Sequence, residues 1–226
     1  MSVSAAVAGE LLDGWGLTAS VIPNGVAFDR FAGADGARWR DRLGRYVLTV
    51  GGIEPRKGSL DLLEAYALLR ATDPTVGLVV AGARHCSTTA TTGRGGAARH
   101  RTGRDAGRAR HRRRRRPAGP GGRRGRVRLP SVKEGFGLAA MEALAAGVPL
   151  VVRDLPVLRE VFGAAARFAA DPAGLAAALG DALHAGADPA RRAAGRALAA
   201  RHTWAAAAFA IWSSTRPCRR GRVLGV

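Results

Sequence analysis

Apolar positions follow two rhythms along this chain. Val3, Val7 and Leu11 recur every fourth residue, which predicts the end of an amphipathic helix over 2–13. Ser20–Val26 reads as a short strand stopped by Asn24-Gly25, a pair that tolerates positive φ. Residues 46–50, Tyr-Val-Leu-Thr-Val, and 76–81, Val-Gly-Leu-Val-Val-Ala, are continuous apolar runs, the pattern of strands buried on both faces of a parallel sheet. Between them 59–70 reads as a helix with Leu60, Leu63 and Ala67 on one face. Strand, helix, strand is the βαβ unit of an open α/β sheet. The rhythm returns at 129, with a helix over 138–146, a turn and buried strand over 147–152, and helices near 155–161, 173–184 and 189–201. Periodicity is lost again after Trp212.

Between these two halves the pattern stops. From His85 to Arg126 the chain has no Val, Ile, Leu, Met, Phe, Tyr or Trp. Ordering a backbone costs roughly 1–2 kcal/mol per residue, and such a stretch buries too little apolar area to offset it, so 84–128 is expected to be disordered. It holds 16 arginines and one acid, Asp105, and so carries most of the formal charge of +19. The remaining charge is unremarkable, and the total is no argument for a polyanion partner. Out-of-frame reading of GC-rich DNA yields Arg, Gly, Ala and Pro, and we read 84–128 as a frame-shifted insert. The competing reading is an arginine-rich arm for nucleic acid, a partner otherwise not expected.

Cys86 and Cys218 give neither a disulfide framework nor metal-ligand spacing. No metal is expected. Residues 1–16 lack a basic n-region and carry Glu10 and Asp13, so they are not a signal peptide. No apolar run approaches the ~20 residues of a membrane span. The expected location is the cytoplasm, with attachment at the inner face of the membrane left open.

Two loops carry candidate chemistry. Gly51-Gly52-Ile53-Glu54-Pro55-Arg56-Lys57-Gly58 lies between a strand and a helix, where amides and the helix dipole favour an anion, and Arg56 and Lys57 add charge. It is not a Walker A loop, because the position before the lysine is Arg56 rather than Gly. The bland alternative is a plain βα turn with a solvated basic pair. In Glu134-Gly-Phe-Gly-Leu-Ala-Ala-Met-Glu142, two glycines open a helix flanked by carboxylates able to accept hydrogen bonds from hydroxyl groups. For two isolated acids, dipole-favoured placement at a helix start is the usual explanation.

The strings Val21-Ile-Pro-Asn-Gly-Val26, 50–58, and Glu134-Gly-Phe-Gly-Leu followed by Glu142-Ala-Leu-Ala-Ala-Gly-Val-Pro-Leu-Val-Val152 together resemble the family 4 (group 1) retaining glycosyltransferases, over residues 2–83 and 127–205. The resemblance implies a Rossmann-like parallel sheet of class α/β, the C-terminal donor-binding half of the B-type two-domain fold. It implies transfer of a hexose from a nucleotide-diphosphate sugar to an acceptor that is a glycan, a lipid or a small metabolite, with anomeric retention and no cofactor. Lys57 and Arg56 would hold the diphosphate, and Glu134 the donor-sugar hydroxyls. Backbone around Gly51, Gly52, Gly135, Phe136, Gly137 and Leu138 would meet the donor, and Glu142 its ribose. Many members have Arg where this chain has Gly52, and Asp where it has Ala27.

By the same resemblance, 1–19 is a remnant of an acceptor-domain helix, 20–83 and 129–212 are the two parts of the donor-binding domain, and 213–226 is an irregular tail. The chain is then a truncated member lacking its acceptor domain. A catalytically dead nucleotide-binding module is the first rival reading. Trp15 and Trp39 are expected to pack, and His202 and Trp204 to pack at a helix end.

Overall fold

Tyr46–Val50 forms β1, and its side chains divide between two cores. Tyr46 and Leu48 join the larger apolar cluster, and Val47 joins the smaller. The same alternation recurs in β4, Leu150–Arg153, where Leu150 and Val152 face the first cluster and Val151 the second. A sheet with both faces covered needs this continuous apolar pattern. In the computed structural model, residues 1–34, 36–82, 125–129, 131–184 and 188–215 are described. The expectations for 84–124, for Cys86 and for Cys218 lie outside them.

The sheet is parallel and five-stranded among the described residues. Its order is β2 (Gly77–Ala81), β1, β3 (Gly125–Leu129), β4, β5 (Ala166–Ala169). The chain leaves β1 for β2 on one side and returns through β3 on the other. This reversal makes β1/β3 the topological switch point. In open α/β sheets the ligand crevice forms there, beyond the carboxyl ends of the strands.

Helices α4 (Ser59–Thr72) and α7 (Pro172–His184) pack together on one face of the sheet. On the other lie α5 (Leu138–Ala145), α6 (Pro156–Phe162) and α8 (Pro189–Arg201), around Met141, Leu158 and Phe162. Leu158 and Met141 are fully buried, each contributing about 2 kcal/mol on burial. Helix α1 (Ala5–Trp15) starts at an N-cap serine, Ser4, and stops at Gly16, where the Gly16 amide donates to the Leu12 carbonyl and the left-handed backbone (φ 65°) turns the Leu17 amide back onto the Leu11 carbonyl. Two short helices, α2 (Phe28–Ala32) and α3 (Ala37–Leu43), precede β1, and α9 (Trp204–Thr215) ends the described chain.

The structure departs from the sequence expectations at several points. The stretch 84–128 was expected to be disordered throughout, but β3 begins at Gly125 and supplies the strand between β1 and β4. Backbone pairing on both sides compensates for its poor composition. Ser20–Val26 is not a strand. It makes two isolated bridges, Ser2 with Val21 and Val26 with Thr203. In α4 the buried residues are Leu62, Ala65 and Leu69, whereas Leu60 and Leu63 are exposed. In the run 76–81 Val76 is buried, but β2 itself is mostly half-buried, with Val80 exposed, because it is the edge strand among the described residues. Trp15 is 79% exposed and does not pack. Helix α9 continues through Thr215, past the expected start of the irregular tail. Among the described residues, no helix is long and apolar enough to cross a membrane.

Candidate functional site

The loop after β1 is closed by its own backbone. Gly51 takes a positive φ of 137°, and its amide donates to the Ala81 carbonyl at 2.9 Å, tying the loop to β2. Gly82 lies so close to the Gly51 carbonyl that a β-carbon on Gly82 would overlap it. Ser59 bridges the loop, donating to the Glu54 carbonyl and accepting from the Glu54 amide, both at 3.1 Å. Pro55–Lys57 forms a single 3₁₀ turn, and Gly58 (φ 64°) then opens α4 with no side-chain cap. This geometry turns Lys57 back across the loop, where its Cδ and Cε would lie 3.9 Å from a β-carbon on Gly51.

The loop after β3 docks against it. Val132 donates its amide to the Arg56 carbonyl at 3.0 Å. Lys57 Nζ then donates to Glu134 Oε2 at 3.1 Å, with the two side chains 22% and 17% exposed. The pair sits over the switch point between β1 and β3. At that burial it is a charge-assisted hydrogen bond rather than a solvated surface pair.

The other sequence-predicted residues are distributed around this pair. Arg56 points outward, 60% exposed, with its Nε 3.5 Å from Glu54 Oε2. The Gly135 amide donates to Glu134 Oε1 at 3.3 Å, so this amide is already engaged by the neighbouring carboxylate. Phe136 is buried at 3% exposure, with its ring 5.7 Å from the His202 ring at the end of α8, so only its backbone is placed to meet a ligand. Gly137 (φ 88°) is the N-cap of α5 and offers no side-chain cap, which leaves first-turn amides for an anion. Leu138 is exposed at the helix start, and Glu142 is half-buried one turn inside. Gly52 follows Gly51 in the loop and is half-buried.

One residue that sequence reasoning did not single out belongs here. The Ser131 hydroxyl is fully buried and has no hydrogen-bond partner among the described residues. Its only signal in the sequence is a polar residue between Pro130 and Val132. Among the described residues no group of three His, Cys, Asp or Glu side chains could hold a metal. Two hollows lie elsewhere, one beside Leu144, Gly147 and Arg191 and one beside Phe28, Asp29 and Trp204.

Residues 127–197 match the family model for glycosyl transferases group 1. This segment is similar to the group 1 glycosyltransferases over about a third of the chain. The match starts within β3 and takes in the Glu134–Glu142 loop and helix. The fold around it is that of solved glycosyltransferases. An α,α-trehalose-phosphate synthase (UDP-forming) from Burkholderia vietnamiensis superposes with a TM-score of 0.66 at 16% identity, covering 91% of this chain and 58% of that one. A sucrose-phosphate synthase from Thermosynechococcus elongatus gives 0.61 at 21% identity, covering 94% and 56%. Anabaena HepE, solved in complex with UDP and glucose, gives 0.62 at 16% identity, covering 94% and 61%. The chain thus spans somewhat over half the length of these glycosyltransferases. No curated protein is significantly similar to the chain.

Proposed function

We propose that this chain is the donor-binding part of a group 1 glycosyltransferase, which transfers a hexose from a nucleotide-diphosphate sugar to an acceptor with retention at the anomeric carbon. The observation that carries this reading is the Lys57–Glu134 pair, 3.1 Å apart over the β1/β3 switch point. A diphosphate seated there meets the Lys57 ammonium and the uncapped start of α5. As the bond from the sugar C1 to the phosphate oxygen breaks, negative charge grows on the leaving diphosphate, and a fixed ammonium stabilises it without reorganisation. Glu134 is the acceptor for donor-sugar hydroxyls, and Glu142 for the ribose. Arg56 swings in from solvent to add a second charge. The structural relatives named for UDP point to a uridine diphosphate as the first donor class to try.

The test is calorimetric titration of the full chain with UDP. The wild type is expected to bind, and Lys57→Ala to bind about 10- to 100-fold more weakly, the span expected for a hydrogen bond to a charged group. Equal affinity of wild type and variant, or no binding by either, sinks the reading. Release of glucose from UDP-glucose by the wild type argues against a catalytically dead nucleotide-binding module.

A further inference from the structure

We propose that Ser4 is a positioning residue for the Glu134–Gly137 loop, acting through the Gly135 carbonyl from the capped end of α1. The proposal rests on the reading of that loop as donor-binding. Ser4 is 1% exposed, an unusual place for a hydroxyl that only caps a helix. Its oxygen accepts from the Val7 amide at 3.3 Å and donates to the Gly135 carbonyl at 3.0 Å, a contact between residues 131 positions apart. The Ser2 hydroxyl in turn donates to the Ser4 carbonyl at 2.9 Å.

The end of α1 is itself fixed. Glu160, on α6, accepts the Ala5 amide at 2.7 Å through one carboxylate oxygen and the Ala6 amide at 2.9 Å through the other. A carboxylate on first-turn amides is the favoured partner of a helix N-terminus. Val3 and Val7 lie beside Gly135, their methyl carbons 3.6 and 4.0 Å from where a β-carbon would stand. The loop is thus seated on α1, and α1 is seated on α6.

The consequence follows from peptide geometry. A trans peptide is planar, with its C=O and N–H directed oppositely. Holding the Gly135 carbonyl on Ser4 therefore directs the Phe136 N–H away from α1. Glycine on one side of this peptide would otherwise let it rotate freely. Ser4 sets which way an anion-binding amide faces while staying off the anion itself. It also keeps the Gly135 amide where Glu134 Oε1 accepts it, beside the Lys57 pair.

Ser4→Ala and Ser4→Thr decide the matter. In Ser4→Ala, backbone ¹⁵N order parameters at Gly135, Phe136 and Gly137 are expected to fall from about 0.85 toward 0.6, while those of Leu150–Arg153 stay at the wild-type values. UDP should bind about five- to tenfold more weakly, the factor carried by one buried hydrogen bond. Ser4→Thr, which keeps the hydroxyl, should restore both. Unchanged loop order parameters in Ser4→Ala overturn the proposal, as does loosening confined to α1 or spread through the strands. If the wild type does not bind UDP, the donor reading falls, and the order parameters alone decide whether Ser4 holds the loop.

Discussion

Lys57 and Glu134 are 77 positions apart in the chain, yet their side chains meet at 3.1 Å. Each was legible alone, as a charge in a glycine-rich βα turn and as an acid before a helix. That they meet was not, because residue spacing says nothing about which strands are neighbours. The burial of Phe136 and the outward direction of Arg56 were equally hidden, since both depend on packing against α8 and on Glu54. At the opposite end of β1 a second acid is placed by local chemistry. The Asp73 carboxylate is held below the ordinary carboxylate pKa, chiefly by the Thr75 hydroxyl at 2.6 Å, with help from the Thr75 amide, Arg45 and His184. A depressed folded pKa means that the unfolded state takes up the proton first. The stability from Asp73 is therefore complete above the unfolded value of about 3.9 and is lost as pH falls through the lower folded value. In Asp73→Asn, acid titration of the melting temperature should show a shallower fall below pH 4 than in the wild type. Parallel acid limbs for the two proteins would remove Asp73 from this role.

Element type was easier to read than element face or edge. The α4 run, with leucines at 60, 62, 63, 68 and 69, is apolar on several sides, so its periodicity fits more than one stripe, and the sheet selects Leu62, Ala65 and Leu69. Strand β3 was missed because Gly-Arg-Val-Arg-Leu at 125–129 has little apolar character of its own and is held by register with β1 and β4. The turn expected at Asn24-Gly25 is absent, as is the strand drawn into it: the backbone there is irregular and Gly25 does not take a positive φ. What needs glycine there is tertiary. A β-carbon on Gly25 would stand 2.3 Å from the Trp204 amide nitrogen, where α9 begins, and the Val26 amide donates to the His202 carbonyl at 2.7 Å. Backbone cannot yield as the end of a flexible side chain can. Gly25→Ala should therefore cost about 1–3 kcal/mol, the range of overpacked sites, seen as a melting temperature roughly 2–12 °C lower. An unchanged melting temperature would mean that the α8–α9 junction moves aside without cost.

At the scale of the whole molecule, a +19 chain contains a sheet whose described strands are joined across a segment of opposite character. Both halves contribute to one site: the β1 loop brings Lys57, and the loop after β3 brings Glu134. The proposal that the arginine-rich segment is foreign to this fold can be tested without knowing its conformation. Parallel strands five residues long place the end of β2 and the start of β3 at opposite ends of the sheet with β1 between them, a gap of about 19 Å from strand rise and spacing. A Gly/Ser linker of about 12 residues has a root-mean-square span near that distance. Replacing 84–124 with such a linker removes fourteen arginines and Asp105. If the segment is foreign, the shortened chain keeps its melting temperature and its UDP titration, while any retention on DNA falls and loses its steep salt dependence. If the shortened chain unfolds or stops binding UDP, the segment belongs to the donor domain. Retention on DNA that survives the replacement would instead locate the basic surface on the folded part of the molecule.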